Sequence, residues 1–255
     1  MVLAIDVGNT NVVIGCFCND IILFNERIAT NRHATDLEYA IIIKNILEIH
    51  NIEINSLEGA IMSSVVPSVT TPMYEAISKL TDKEPLVVGP GIKTGLRILT
   101  DNPAQLGSDL VVDAVAGINY YPTPQIIIDM GTATTISVID KDSNYLGTLI
   151  IPGMNTSLDA LSSGAAQLPH VNLDLPKRVI GTNTAECMSN GILHYTASGL
   201  DGCVERIEDE LGEKCTVVAT GGLASTVVPL CRQEIIFDND LLLKGLMIIY
   251  NRNKR

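Results

Sequence analysis

The chain has 255 residues, enough for one large domain or two small ones with separate cores. Apolar residues make up 46% of it, Trp is absent and aromatics are only 4%, so its cores are aliphatic. A formal net charge of −12 argues against non-specific nucleic-acid binding, and the apolar runs fall well short of the ~20 residues of a membrane span. That charge does not exclude a phosphate ligand, because turn amides and metal ions supply positive potential locally.

Three strands open the chain, over residues 2–6, 12–17 and 21–28, with a turn at Asn19-Asp20 between the last two. The start of the chain runs straight into the turn after Asp6, which leaves no room for a signal peptide. Thr35 and Glu38 form a capping-box pattern ahead of a helix reaching residue 49. A buried strand over 59–64, a helix over 67–80 and a strand over 86–88 follow, the last closed by Gly89-Pro90-Gly91. A helix over 110–118 leads into the second half, where strands over 125–129, 134–140 and 145–151 repeat the opening meander. Helices over 156–166 and over 184–211, the second capped by Asn183 or Thr184, a strand over 215–219 and a final helix over 240–251 complete the pattern.

The repeat carries the chemistry. Asp6-Val7-Gly8-Asn9-Thr10-Asn11 is echoed by Asp129-Met130-Gly131-Thr132-Ala133-Thr134-Thr135, and each copy lies between two strand-like runs. Glycine lets backbone amides approach a phosphate closely, and Thr and Asn add donors. An Asp leaving a strand at such a turn can hold Mg²⁺ through water, which that ion gives up reluctantly. A single Asp-x-Gly turn is as consistent with a plain hairpin as with a site. Two copies in matching contexts point to a nucleoside triphosphate gripped by paired hairpins, and neither copy has the Walker or dinucleotide spacing.

Cys16, Cys18, Cys187, Cys203, Cys215 and Cys231 show no CxxC pair and no zinc-like clustering with the histidines, which fits reduced thiols in a cytoplasmic protein. His33, His50, His170 and His194 lack ligand-like partners and carry no assigned role.

These motifs resemble the acetate kinase, sugar kinase, heat-shock protein and actin superfamily, and within it the type III pantothenate kinases. The resemblance covers nearly the whole chain. It rests on Asp6 to Asn11, Asn102-Pro103, Leu106-Gly107-Ser108-Asp109, Asp129 to Thr135, Gly147 to Gly153, Gln167-Leu168-Pro169, Gly181 to Thr184, and Leu243-Lys244-Gly245-Leu246. It implies an α/β fold of two duplicated ribonuclease-H-like (actin-like ATPase) lobes, over 1–118 and 119–255, with a nucleotide cleft between them. It also implies phosphorylation of the primary hydroxyl of pantothenate by ATP, the first step of coenzyme A synthesis, in a homodimer with no nucleic-acid or membrane partner.

Carried over by that resemblance, Asp6, Val7, Gly8, Asn9, Thr10, Asn11, Val12 and Val13 bind the ATP phosphates, with Asp6 on Mg²⁺ through water. Thr132 contacts ATP, and Gly221 and Gly222 close the adenosine segment that begins at Val217. Asp129 holds a monovalent cation, K⁺ or NH₄⁺. Asp109 is the catalytic base, and Thr100, Gly107, Ser108, Asp109, Leu110 and Thr184 bind the acceptor. Read as a residue, Asp109 sits at or just before a helix N-terminus, which favours its anion and predicts a weak base; a plain helix-start role is the alternative. Asp113, one turn later, either adds negative charge or faces solvent.

Two positions depart from the family pattern. Gly-x-Asp-Arg reads here as Gly107-Ser108-Asp109-Leu110, and a tyrosine is replaced by Thr100. Leucine cannot supply the donors with which an arginine would hold a carboxylate. Three accounts follow: a pantothenate kinase using Lys93, Arg97 or a partner subunit's group; a kinase for another small hydroxyl compound; or an ATP-binding paralogue with an accessory role.

Overall fold

The computed structural model describes all residues except Asp20, Ala166, Gln167, His170 and Arg255. The predicted Asn19-Asp20 turn, the end of the helix reaching 166, the Gln167 segment and His170 therefore fall partly or wholly outside the described residues. In chain order the elements are β1 (Val2–Val7), β2 (Asn11–Cys18), β3 (Ile21–Ala29), α1 (Asp36–Ile49), β4 (Gly59–Ser64), α2 (Pro67–Thr81), β5 (Leu86–Val87), β6 (Arg97–Ile98) and α3 (Ser108–Tyr120). There follow β7 (Gln125–Met130), β8 (Ala133–Ile139), β9 (Asn144–Pro152), α4 (Met154–Gly164), α5 (Thr184–Leu211), β10 (Thr216–Thr220), α6 (Ala224–Val227), β11 (Ile236–Phe237) and α7 (Leu241–Asn253).

Two compact units divide the chain. The first comprises Met1–Leu96, Asp101–Asn119 and Asp240–Arg255; the second comprises Arg97–Thr100 and Tyr120–Asn239. The sequence places one boundary, after residue 118. The structure adds two exchanges to it: the short strand β6 joins the second unit and the final helix joins the first.

Each unit is built on one sheet, and the two sheets share a topology. The first runs β3-β2-β1-β4-β5, with β1, β2 and β3 antiparallel and β4 and β5 parallel to β1. The second runs β9-β8-β7-β10-β11 in the same senses, with β6 added beside β9. The repeat read from two short motifs is thus a repeat of the fold.

In the first unit every residue of β1 is buried, as for a strand covered on both faces. Side chains alternate, so Leu3, Ile5 and Val7 join one core with Tyr39, Ile43 and Leu47 of α1 and Met73 and Ile77 of α2. Val2 and Ala4 face the other way, onto Val112 and Val115 of α3 and Leu243, Leu246 and Ile249 of α7. Helix α1 starts where its signal places it: Glu38 N donates to Thr35 Oγ1 at 3.3 Å and Thr35 N donates to Glu38 Oε2 at 2.7 Å.

In the second unit Ile126, Ile128 and Met130 of β7 pack with Val217 and Ala219 of β10 against Leu158 of α4 and Leu193, Leu200 and Val204 of α5. Asn183 caps α5, its side chain accepting from Glu186 N at 3.0 Å, and Gly212 ends it in the left-handed conformation at φ 73°. Tyr121 donates to Asp238 Oδ2 at 2.7 Å, which ties the start of the long second-unit segment to its end.

Helix α7 approaches α3 at Gly245. A Cβ there would run into the Val112 carbonyl oxygen and would sit 2.7 Å from Val112 Cγ1. Gly245→Ala should therefore lower stability by about 1–3 kcal/mol, read as a fall in Tm. Gly199→Ala, on the open face of α5 where an added Cβ meets nothing within 4 Å, should instead be neutral or stabilising by up to about 1 kcal/mol.

Candidate active site

In the first unit the alternation of β1 that sends Leu3, Ile5 and Val7 to one core sends Asp6 to the other face, the one covered by α3. Asp6 is only 7% exposed. Its in-register partner on the parallel strand β4 is Ser63, fully buried and on the same face. Ser63 Oγ lies 2.9 Å from Ser108 Oγ at the start of α3, and Ser108 Oγ donates to the Ser64 carbonyl at 3.2 Å. The next residue is Asp109. One run of short contacts thus links the end of β1, the end of β4 and the first turn of α3.

The hairpin after Asp6 is closed by Gly8 N donating to Asn11 O at 3.0 Å, and it leaves Asn9 and Thr10 exposed. Among the described residues, neither Gly8, Asn9 nor Gly131 has a positive φ, so these are not the left-handed hairpin turns that glycine usually serves. Gly8 is needed for space instead: a Cβ there would sit 3.0 Å from Asn11 O. The segment after β3 braces the tip, with Thr30 Oγ1 donating to Gly8 O at 2.7 Å, Thr30 N to Thr10 O at 2.9 Å and Arg32 Nη2 to Asn9 Oδ1 at 3.0 Å.

Asp109 is the second residue of α3, inside its first turn rather than before it, and the helix extends at both ends beyond the predicted 110–118. Leu110 N donates to Asp109 Oδ1 at 2.8 Å. Burial raises the Asp109 pKa above the ordinary aspartate value, outweighing the backbone hydrogen bonds that lower it. The direction is opposite to the one that the helix terminus predicts, because desolvation outweighs the backbone hydrogen bonds at the helix start. Asp113 is 2% exposed, so its solvent-facing alternative is also corrected. Leu110 is buried, so the position that departs from the family pattern packs inward while its backbone serves Asp109.

The second unit repeats the strand-end arrangement. Asp129 lies one residue from the end of β7, in register with Thr220 of β10 and Thr135 of β8. The following turn exposes Gly131 and Thr132, and Gly131 N donates to Ala133 O at 3.1 Å. The N-terminus of α4 covers this turn: Gly153 N donates to Thr132 O at 3.1 Å and Thr156 Oγ1 donates to the same oxygen at 2.8 Å. Gly153 admits no side chain, because a Cβ would lie 2.5 Å from Thr132 O. Gly221, at φ 95°, packs on the end of β7 so tightly that a Cβ would meet the Met130 backbone at 2.6 Å. Asp129, Thr132 and Gly221 are therefore neighbours within one unit.

Thr184 is the exposed first residue of α5. Thr100, beyond β6 in the second unit, has a buried hydroxyl with no hydrogen-bond partner among the described residues. At Asp140 desolvation is outweighed by hydrogen bonds from Asn144 and Asp142, which lower its pKa; of the substitute cations, Arg97 adds a minor charge effect there, and Lys93 is held through its backbone by Asn253. The described residues hold no group of three or more His, Cys, Asp and Glu side chains suited to a metal. A carboxylate beside an exposed turn of backbone amides and hydroxyls fits ions bound through phosphate and water instead. All six cysteines are unpaired, and burial pushes the thiols of Cys16 and Cys215 up to about 11.

Ser63, Thr30 and Arg32 escaped the sequence reading. Ser63-Ser64 did carry a signal, a polar pair ending an otherwise apolar strand; Thr30 and Arg32 carried none.

On each of the two like sheets the central strand carries a carboxylate near its end, followed by an open turn, so the chain has a duplicated α/β fold. A solved activator of the 2-hydroxyisocaproyl-CoA dehydratase from Clostridium difficile, with bound ADPNP, shares that fold at a TM-score of 0.57 and 15% identity, over 99% of this chain and 94% of that one. Residues 2–206 match the sequence profile of type III pantothenate kinases. A type III pantothenate kinase of an Exiguobacterium species is 43% identical over 255 residues, the full length of both chains. One from Moorella thermoacetica is 41% identical over 99% of this chain and 100% of its own. The chain belongs to the type III pantothenate kinase family.

The Ser63–Ser108 contact yields a stability test. Ser63→Ala and Ser108→Ala should each cost about 1 kcal/mol in denaturant unfolding. The double variant should cost less than the sum, because the two hydroxyls share one bond.

Proposed function

We propose that this chain transfers the terminal phosphoryl group of ATP to the primary hydroxyl of pantothenate. The observation that carries the reading is family membership over the whole chain, with both phosphate hairpins and Asp109 retained. Asp109 accepts a hydrogen bond from the acceptor hydroxyl and aims its oxygen at the γ-phosphorus. As the new P–O bond forms and the bond to ADP breaks, the hydroxyl proton passes to the Asp109 carboxylate. Positioning is its first task and proton acceptance its second, as suits a loose phosphoryl transfer. Burial makes it a better acceptor than an exposed aspartate.

The turn from Gly8 to Asn11 offers amides and exposed side chains to the phosphates, with Val7, Val12 and Val13 fixing its flanks. Thr132 and the backbone at Gly221 and Gly222 are assigned to the nucleotide. Asp6 would hold Mg²⁺ through water, and that ion, when bound, would supply charge neutralisation at the phosphates; Asp129 is assigned to a monovalent cation. Gly107, Ser108, Leu110, Thr100 and Thr184 are assigned to the acceptor. Leu110 contributes through its backbone, so the carboxylate of pantothenate needs another cation. A homodimer and a cytoplasmic location belong to the same proposal. Among the described residues no helix is long and apolar enough to cross a membrane.

ADP release should depend on pantothenate, and replacing potassium by sodium should reduce it. ATP binding without turnover would move the acceptor to another hydroxyl compound or the chain to an accessory role. Asp109→Asn should lose at least about a thousandfold in kcat with ATP affinity nearly unchanged. A raised carboxylate pKa means the base is protonated at higher pH than usual, so the acid limb of kcat should lie at higher pH than an ordinary aspartate would give. The native state then holds its proton longer than the unfolded state, and stability falls as pH rises through that window. Asp109→Asn should therefore match or exceed the wild-type Tm at pH 7 by calorimetry, which separates lost chemistry from lost fold.

A further inference from the structure

Arg32 stands at the tip of the first hairpin, outside every motif that the sequence offered. It is exposed, yet it is not displayed on a loose loop. Thr30, two residues earlier, is bonded to both sides of the hairpin through Gly8 O and Thr10 O. The buried Tyr39 of α1 donates its hydroxyl to Asn31 O at 2.8 Å, and Asn31 Oδ1 accepts from His33 N at 3.0 Å. Immediately after, the capping box fixes the start of α1. The backbone on both sides of Arg32 is thus pinned, one side to the hairpin and the other to a helix.

The contact with Asn9 has a direction. A guanidinium only donates, so Arg32 Nη2 must meet the carbonyl oxygen of the Asn9 amide, at 3.0 Å. The Asn9 NH₂ group then points elsewhere, as a donor at an exposed turn that the function proposed above assigns to phosphate. The same guanidinium keeps most of its five donors and its full charge. Its hydrogen bond is to a neutral amide, and among the described residues no carboxylate forms an ion pair with it, in a chain with 29 acidic and 17 basic residues.

Resting on that assignment, we propose that Arg32 and Asn9 form a phosphate-recognition pair: Arg32 orients the Asn9 amide to donate to the nucleotide's phosphates and itself neutralises their charge. Arg32 would then supply a fixed cation at the ATP side of an acidic chain.

The test is calorimetric titration of Mg²⁺-ATP and of adenosine into the wild type, Arg32→Ala, Arg32→Lys and Asn9→Ala, without acceptor. Arg32→Ala should weaken ATP binding about ten- to a hundredfold, the usual loss of a charge-assisted hydrogen bond, and leave adenosine affinity unchanged. Arg32→Lys should recover part of the loss by restoring charge without the planar fork. Arg32→Ala combined with Asn9→Ala should lose less than the product of the single effects. ATP affinity within twofold of wild type in Arg32→Ala, or equal losses for ATP and adenosine, would overturn the inference. Wild-type ATP binding without pantothenate turnover would overturn the acceptor assignment alone, and the Arg32 comparison would still decide this proposal. A wild type that binds no ATP would overturn both.

Discussion

A buried central strand has both faces covered and its side chains alternate, so a polar residue near its end can be turned to only one layer. In β1 that constraint sends Asp6 to the layer of α3, and the parallel pairing of β1 with β4 puts Ser63 beside it on the same face. Helix α3 must then begin where Ser108 can reach Ser63, and Asp109 follows by one residue. A shift of one residue in either strand would turn Asp6 or Ser63 to the opposite core and break the line. The second sheet obeys the same rule, with Asp129 opposite Thr220 and the Gly221 backbone packed against the strand end.

Electrostatics make the phosphate side the harder half of the task. The chain carries a net charge of −12 and its ligand is itself anionic, so the overall field opposes approach. On the proposed reading, local donors overcome this at short range: amides of an open turn, the oriented Asn9 and the Arg32 guanidinium. Asp109 is tuned the other way. Its raised pKa reflects lost hydration, and the same desolvation that makes it basic costs stability at neutral pH. Asp113, one turn further along α3, is still more deeply buried.

What the sequence disclosed follows the range of each interaction. The strands flanking both hairpins, the Thr35–Glu38 capping box and the long α5 were legible because period, turn and cap signals are local. The two-residue strands β6 and β11 gave no periodicity to read, and they exist only because a longer neighbour offers an edge. The Asp109 pKa went the other way from its prediction because a helix terminus is visible in sequence and burial is not. Arg32 was silent for the same reason: its partner Asn9 is 23 residues away, and only the meander of β2 and β3 brings them together. The likeness of the two sheets was legible from a recurring Asp-x-Gly turn, since that turn also starts each meander.

Helix α7 belongs to the first unit although it is made after the whole of the second. Its Leu243, Leu246 and Ile249 close the core that β1, β4 and α3 leave open, and Leu243 packs where Gly15 of β2 provides room. During synthesis the second unit has all its strands and helices available while the first still lacks one wall. The order of maturation is thereby reversed relative to the order of translation: the half that emerges first from the ribosome waits longest to close. Until residues 241–253 are made, the face of α3 that packs on them lacks those partners.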